Sequence, residues 1–429
     1  MKPQNFFNTG KITIISIAVI LFAILFYFIT SFYFFPKEIK ILAEIENHLD
    51  FRVPINATID ADSVAVLNIN SESVKENIEV SLASPFSIEI PEQSSLKMTL
   101  NLFGFPIKTV KVESLPYSEV VPSGMTVGVR INTEGVMVLG TGFVHALEGG
   151  EVQPSKDLLK SGDLILEANG TVLKDKKMLM DIIESTDDEI RMKVKRDDEI
   201  IDINISAVES TDGKKKIGVW IRDSTQGIGT ITYYEPNTGN FAALGHGILD
   251  VDTKTLMSVR TGTIMPSSIE SVKKSKKGSP GELEGRIEGN NVLGTIQSNT
   301  PYGIYGQMDE SFIESSENKT RKIALQGEVR EGPATILSNV KGKEVESYNV
   351  YIETINRYSS DDSKGMVVRI LDPRLLEETN GIVQGMSGSP IIQNEKLVGA
   401  ITHVFIQEPS KGYGIFIENM LKQSQEDSA

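Results

Sequence analysis

The sequence predicts a mainly β fold with one small α/β module inside it, and three observations carry that expectation. Short apolar runs with period-two alternation recur from about residue 50 onward, set apart by Ser, Asn, Pro and Gly turns. Two stretches of helical spacing interrupt them, one at 154–159 and one carrying Met178, Met180, Ile182 and Ile183. Ahead of all this stands an uncharged apolar run, residues 12–35.

The 429 residues leave room for several domains, and 40% hydrophobic with 24% charged residues is an ordinary globular balance. A formal net charge of −15 argues against a nucleic-acid binder, because no extended basic face can be assembled. The absence of cysteine excludes disulfides, thiolate metal sites and a cysteine nucleophile. Only His48, His145, His246 and His403 are available for imidazole chemistry.

Residues 1–36 hold the apolar run, which at 12–35 is long enough to cross a bilayer. Lys2 and Lys11 before it favour a cytoplasmic N-terminus. No small-residue cleavage site follows, so the run reads as an uncleaved signal-anchor with the rest of the chain outside the cytoplasm. Residues 37–115 alternate in short runs such as Ile78-Glu79-Val80-Ser81-Leu82, which predicts a small antiparallel β spacer.

Residues 116–208 follow the order strand, helix, Gly162-Asp163 strand, helix, hairpin. The run Lys160-Ser161-Gly162-Asp163-Leu164-Ile165-Leu166-Glu167-Ala168-Asn169-Gly170 closely resembles the bacterial PDZ pattern. That resemblance implies an extended peptide ligand added as a strand to a sheet edge, with Ser123 and Gly124 as a guess for its carboxylate loop. The plainer reading is an α/β module whose Asn169-Gly170 is only a turn. The polar stretch Thr211-Asp212-Gly213-Lys214-Lys215-Lys216 places a boundary near 210. Residues 215–425 are strand-rich and Gly-punctuated, as in a β-barrel or a pair of barrels.

The chemistry is sought in Gly385-Met386-Ser387-Gly388-Ser389-Pro390, between the apolar runs Gly381-Ile382-Val383 and Ile391-Ile392. A hydroxyl bracketed by glycines in a tight turn exposes a nucleophile while backbone N–H groups converge beside it. Ser387 is the expected nucleophile, with Gly385 and Ser387 N–H as oxyanion donors and Ser389 as the lesser hydroxyl. His246, in Leu244-Gly245-His246-Gly247, is the expected base. His403 is its rival, although alternation puts it on the face of Ile401 and Phe405 in a half-buried structural role. Asp372 ends an apolar strand and is the expected orienting carboxylate, its competing role being a helix N-cap before Pro373. Asp361 and Asp362 read as solvated loop residues. No metal-ligand cluster or cofactor motif is present, so none is expected.

The turn resembles the Gly-Asp-Ser-Gly-Gly-Pro turn of chymotrypsin-like peptidases, with Met386 in place of Asp. With Thr402-His403-Val404-Phe405 and Gly412-Tyr413-Gly414-Ile415, the chain resembles the stage IV sporulation protein B peptidases of endospore-forming bacteria. The resemblance implies a chymotrypsin-like barrel and a triad of Ser387, His246 and Asp372. It further implies export to the space between the two spore membranes, self-cleavage, and cleavage of a membrane-bound regulator. That cleavage releases an intramembrane protease and so activates a late sigma factor. Self-cleavage is expected in an exposed stretch between about 36 and 60. The alternative is a membrane-tethered PDZ scaffold whose barrel is inactive.

Overall fold

The computed structural model describes Ser16, Ile17, Val19 and residues 35–426, apart from 61–66, 75–76, 91–93, 116–118, 198, 290, 317–318, 358 and 360. Most of the apolar run 12–35 therefore lies outside the described residues. Among the described residues no helix is long and apolar enough to cross a membrane. The chain divides into two units, 1–117 and 118–429.

The first unit is a sandwich. One sheet orders the strands Glu38–Leu42, Phe105–Leu115, Ser95–Leu102, Asn56–Ile59 and Ile78–Ser81, and the other Asn47–Leu49, Phe86–Glu89, Leu67–Ile69 and Glu72–Val74. Alternation decides what is buried: Ala57, Ile59, Leu96, Met98 and Leu100 point into a shared core with Leu67 and Ile88. This corrects the expectation of an exposed cleavage stretch at 36–60. Three strands run through it, with Ile39, Ile41, Ile55, Ala57 and Ile59 buried. Its apolar positions were needed for the core, which leaves the connections at 43–46 and 50–55 outside the strands.

In the second unit, six strands close a barrel: Gly332–Ser338, Glu346–Ile355, Met366–Ile370, Lys411–Phe416, Lys396–Val404 and Pro390–Gln393. Ile336, Val350, Met366, Val368, Ile391 and Phe416 fill it. A second ring lies upstream in sequence. Residues 126–132 pair on one side with 224–230 and on the other with 261–266. The ring continues through Asn240–Ala243, Gly303–Met308 and Gly294–Thr300 around Val129, Ile131, Phe241, Ile264 and Ile304.

Two strands, Thr126–Thr141 and Val219–Tyr234, belong to both this ring and the α/β module. The module is thus an excursion from one long ribbon, and the expected break near 210 does not separate two sheets. The physical reason is that 16-residue strands keep their ladder hydrogen bonds across the junction, with register shifts between Asn132 and Met137 and between Val138 and Gly140. Within the module, the expected helix at 154–159 forms only turns. Asp157 there is left-handed at φ 63°, and six residues are too few to sustain a helix unaided. The other helix, Lys176–Ser185, is capped by Asp175 and buries Leu179 and Ile183, while Met180 faces outward. Asn169 and Gly170, both at positive φ, make the tight turn between Leu164–Ala168 and Thr171–Val172.

The module's strand at 137–141 already has partners on both edges. Met137 pairs with Leu164, and on the other side 137–141 pairs antiparallel with 219–222. Ile217 is buried in the module core, and its carbonyl accepts from Ser155. Asp223 accepts from the Lys176 N–H at the start of the helix. The chain's own segment 219–222 thus occupies this edge of the strand.

Candidate active site

The strand Asn240–Ala243 ends in two left-handed residues, Leu244 at φ 73° and Gly245 at φ 70°. Leucine pays a steric cost in that region, of order 1–3 kcal/mol, and the surrounding barrels hold it there. Leu244 N–H donates to the Thr230 carbonyl, and the chain turns sharply to present His246. The His246 ring is half-buried, and its Nδ1 lies 3.0 Å from the Gly247 carbonyl. A carbonyl can only accept, so Nδ1 carries the proton and Nε2 keeps its lone pair.

The Ser387 turn comes from the other barrel and is bound to the first. Thr230 Oγ1 donates to the Gly385 carbonyl at 2.7 Å, and Thr230 N–H donates to the Ser387 carbonyl at 3.3 Å. Gly388 runs at φ 98°, and a Cβ there would lie 2.1 Å from the Thr230 carbonyl. Glycine is required on both counts. Met386 is fully buried in the barrel core, so the position where trypsin-like chains carry Asp here anchors the turn by packing. Met386, Gly388 and Ser389 N–H donate to Val383, Ile401 and Met386 carbonyls, whereas among the described residues the Ser387 N–H meets no carbonyl.

Ser387 Oγ is part-buried and donates to the Thr402 carbonyl at 2.7 Å. Ser389 is fully buried with its Oγ 3.1 Å from that of Ser338, which removes it from solvent and substrate. The residue after Thr402 is His403, whose ring centroid lies 5.0 Å from that of His246. The structure therefore brings His246, His403 and the Ser387 turn to one place.

His403 is a correction. The alternation that put it beside Ile401 fails because the pairing of Lys396–Val404 with Lys411–Phe416 shifts register between Ile401 and Val404. Such a bulge re-aims a side chain. Ile401 stays buried while His403 turns out toward His246. Asp361 and Asp362 stand in a solvated loop, as expected, with Asp361 partly and Asp362 largely exposed. Asp361 caps the short turn Asp362–Lys364, Thr402 Oγ1 donates to the Ser363 carbonyl, and Tyr302 donates to Asp362 at 3.1 Å. The loop is tied through Ser363 to the strand beside Ser387 and through Asp362 to Tyr302 of the other barrel, a long-range link with no local signal in the sequence.

Electrostatics follow from this crowding. Desolvation lowers the pKa of His246 below its ordinary 6.5, only partly offset by the Gly247 carbonyl. His403 is pushed down to about 4, first by desolvation and then by the positive charges of His246 and Lys364, against a smaller opposing pull from Asp361.

Asp372 sits elsewhere in the bonding pattern. It caps the helix Pro373–Thr379, its Oδ1 accepting from Arg374 N–H at 3.0 Å and its Oδ2 from Asn349 N–H at 3.2 Å. The Arg374 guanidinium pairs with it at 3.0 Å and holds its carboxyl below the ordinary carboxylate range. No hydrogen bond joins it to His246 or His403 among the described residues. The helix it caps ends at the left-handed Asn380 and runs directly through Val383–Gln384 into the Ser387 turn.

The comparison with protein families completes the picture: residues 213–421 match the family described as SpoIVB peptidase S55. That match spans just under half of the chain. The family makes this part of the chain a sporulation serine peptidase in class. The S55 region holds Ser387, His246, His403 and Asp372, but the strand at 126–132 that closes its first ring comes from outside it. Among solved structures, one similar to part of the chain is the PDZ domain of an SdrC-like protein from Listeria monocytogenes. It is 25% identical, covers 20% of this chain and 87% of that one, and has a TM-score of 0.18. No curated protein matches the chain.

A test separates the two roles of Asp372 in the S55 site. Asn caps helices as well as Asp, but a triad carboxylate replaced by its amide costs about 10⁴ in kcat. Asp372→Asn is expected to keep kcat within about tenfold, while Asp372→Ala loses about 1 kcal/mol of stability with the cap. Self-cleavage rates and thermal unfolding of the two variants give the answer. A collapse of rate in a fully folded Asp372→Asn chain would restore the triad role.

Proposed function

We propose that the chain is a membrane-tethered serine endopeptidase that first cleaves itself and then a membrane-bound regulator. Its action triggers intramembrane proteolysis and late sigma-factor activation during sporulation, in the space between the forespore and mother-cell membranes. The observation that carries the reading is the glycine-bracketed Ser387 turn, tied to Thr230 beside the His246 and His403 rings inside the S55 region.

In this reading Ser387 Oγ rotates from the Thr402 carbonyl toward Nε2 of His246, which takes its proton as Oγ attacks the scissile carbonyl. The N–H groups of Ser387 and Gly385 receive the developing oxyanion. Protonated His246 then hands its proton to the leaving amine, and water repeats the sequence to free the acyl group. The Gly247 carbonyl fixes the tautomer that this requires. Asp372 acts through the helix it caps, as a positioning residue for the turn.

The PDZ module recognises an extended peptide. To add at the strand 137–141, such a peptide displaces 219–222, which continues into the strand bearing Thr230. Peptide binding and the Ser387 turn are thereby connected through one strand. Self-cleavage falls in one of the two connections, at 43–46 or 50–55.

A competing reading, a PDZ scaffold with an inert barrel, draws on the Ser387 hydroxyl being turned to Thr402 rather than to a histidine. Reaction of the full chain with a fluorophosphonate probe, followed by peptide mapping, decides between them. Label on Ser387 is expected. A chain that stays unlabelled while folded, or carries label only at Ser389, sinks the enzyme reading.

A further inference from the structure

The hairpin joining Ser95–Leu102 to Phe105–Leu115 turns through Phe103 and Gly104, with Leu102 opposite Phe105. Both turn residues have positive φ, 51° and 84°. That backbone suits Asn or Gly, and a bulky aromatic there is unusual. Phe103 is nonetheless 88% exposed, followed by Phe105 at 73% and Ile107 at 42%. A strained, solvent-facing apolar tip contributes nothing to the core of the unit that bears it, and such a patch marks a binding surface.

The fold also shows where this tip lies. Lys108 Nζ donates to the Phe35 carbonyl, and Lys111 N–H donates to the Lys37 carbonyl. The strand Glu38–Leu42 then runs parallel to 111–115, away from the tip. Phe35, the last residue of the uncharged run 12–35, is therefore bound three positions along the strand from Phe105, or about 10 Å at the usual strand rise. The pKa of Lys108 is lowered first by desolvation and then by the charge of neighbouring Lys37, which places two lysines at the base of the tip. Aromatic side chains ringed by lysines suit the headgroup boundary of a bilayer.

We propose that Phe103, Phe105 and Ile107 insert into the outer face of the same bilayer that the run 12–35 crosses. This gives the first unit a second membrane contact and fixes its orientation on the surface. The partner is the lipid surface itself, with Lys37 and Lys108 facing anionic headgroups. The proposal rests on the reading of 12–35 as a membrane span.

The chain has a single tryptophan, Trp220, which makes a site-specific reporter simple to build. Full-length chain carrying Ser387→Ala to prevent self-cleavage, together with Trp220→Phe and Phe103→Trp, is reconstituted in phosphatidylcholine–phosphatidylglycerol vesicles, with and without brominated acyl chains. Emission shifted to the blue and quenched severalfold by the brominated lipid is expected, together with retention of the chain through carbonate extraction. Retention with water-like, unquenched emission overturns the tip contact and leaves the anchor standing. Extraction of the chain with quenching preserved removes the anchor reading and keeps the tip. Loss of both overturns both.

Discussion

The chain carrying Ser387→Ala is expected to remain at full length under conditions in which the parent chain acquires a new N-terminus. Removing the nucleophile of a serine peptidase costs about 10⁶ in kcat, with the residue supplied by binding and oxyanion contacts. The fold should be unaffected. Ser387 donates one hydrogen bond, to the Thr402 carbonyl, and the turn is held by Thr230, Gly388 and buried Met386 without its hydroxyl. N-terminal sequencing of the two chains side by side reads the outcome. An identical new N-terminus in both would mean that another protease makes the cut, and Ser387 would lose its role.

His246→Ala is expected to have an effect of the same size, and His403→Ala a loss of no more than about tenfold, since only a group in proton-transfer reach contributes the larger factor. The distinction rests on the tautomer and basicity: His246 has its Nδ1 fixed by Gly247, which leaves Nε2 free to accept, whereas the pKa of His403 is pushed down to about 4. The pH profile carries the sign. Because the His246 pKa is lowered, its neutral form persists to more acid pH, so the acid limb of kcat/KM should fall below 6.5. For stability, between about 6.5 and about 4 the unfolded chain binds more protons at His403 than the folded one. Stability is therefore lost as pH falls through that window. Unchanged self-cleavage in His246→Ala would transfer the base to His403, and an acid limb above pH 7 would contradict the lowered pKa of both rings.

Much of the local structure was legible because it is written in periods and turn chemistry. The alternation of Leu96, Met98 and Leu100 gave a strand with one buried face, and Asn169-Gly170 gave a tight turn. Asp372 before Pro373 read equally as a cap, and a cap is what it forms. What was not legible shares one cause. His403 was assigned by alternation, and a bulge, which depends on the neighbouring strand, broke the alternation. Asp361 and Asp362 are solvated as read, but the ties of their loop to Thr402 and Tyr302 join residues distant in sequence. The polar stretch near 210 lies just before the family match begins at 213, and the ladder between 126–141 and 219–234 joins the sheets on either side of it.

The Ser387 turn itself, its glycines, the scarcity of histidines and the uncharged run 12–35 follow from the sequence alone, because each depends on residues adjacent in the chain. Tertiary structure alone decided that His403 joins His246, that residues 217–222 fill the edge of the α/β module, and that Phe103 and Phe105 stand at the end where Phe35 is bound. Those placements are set by hydrogen-bond register between strands far apart in sequence, which no local pattern encodes.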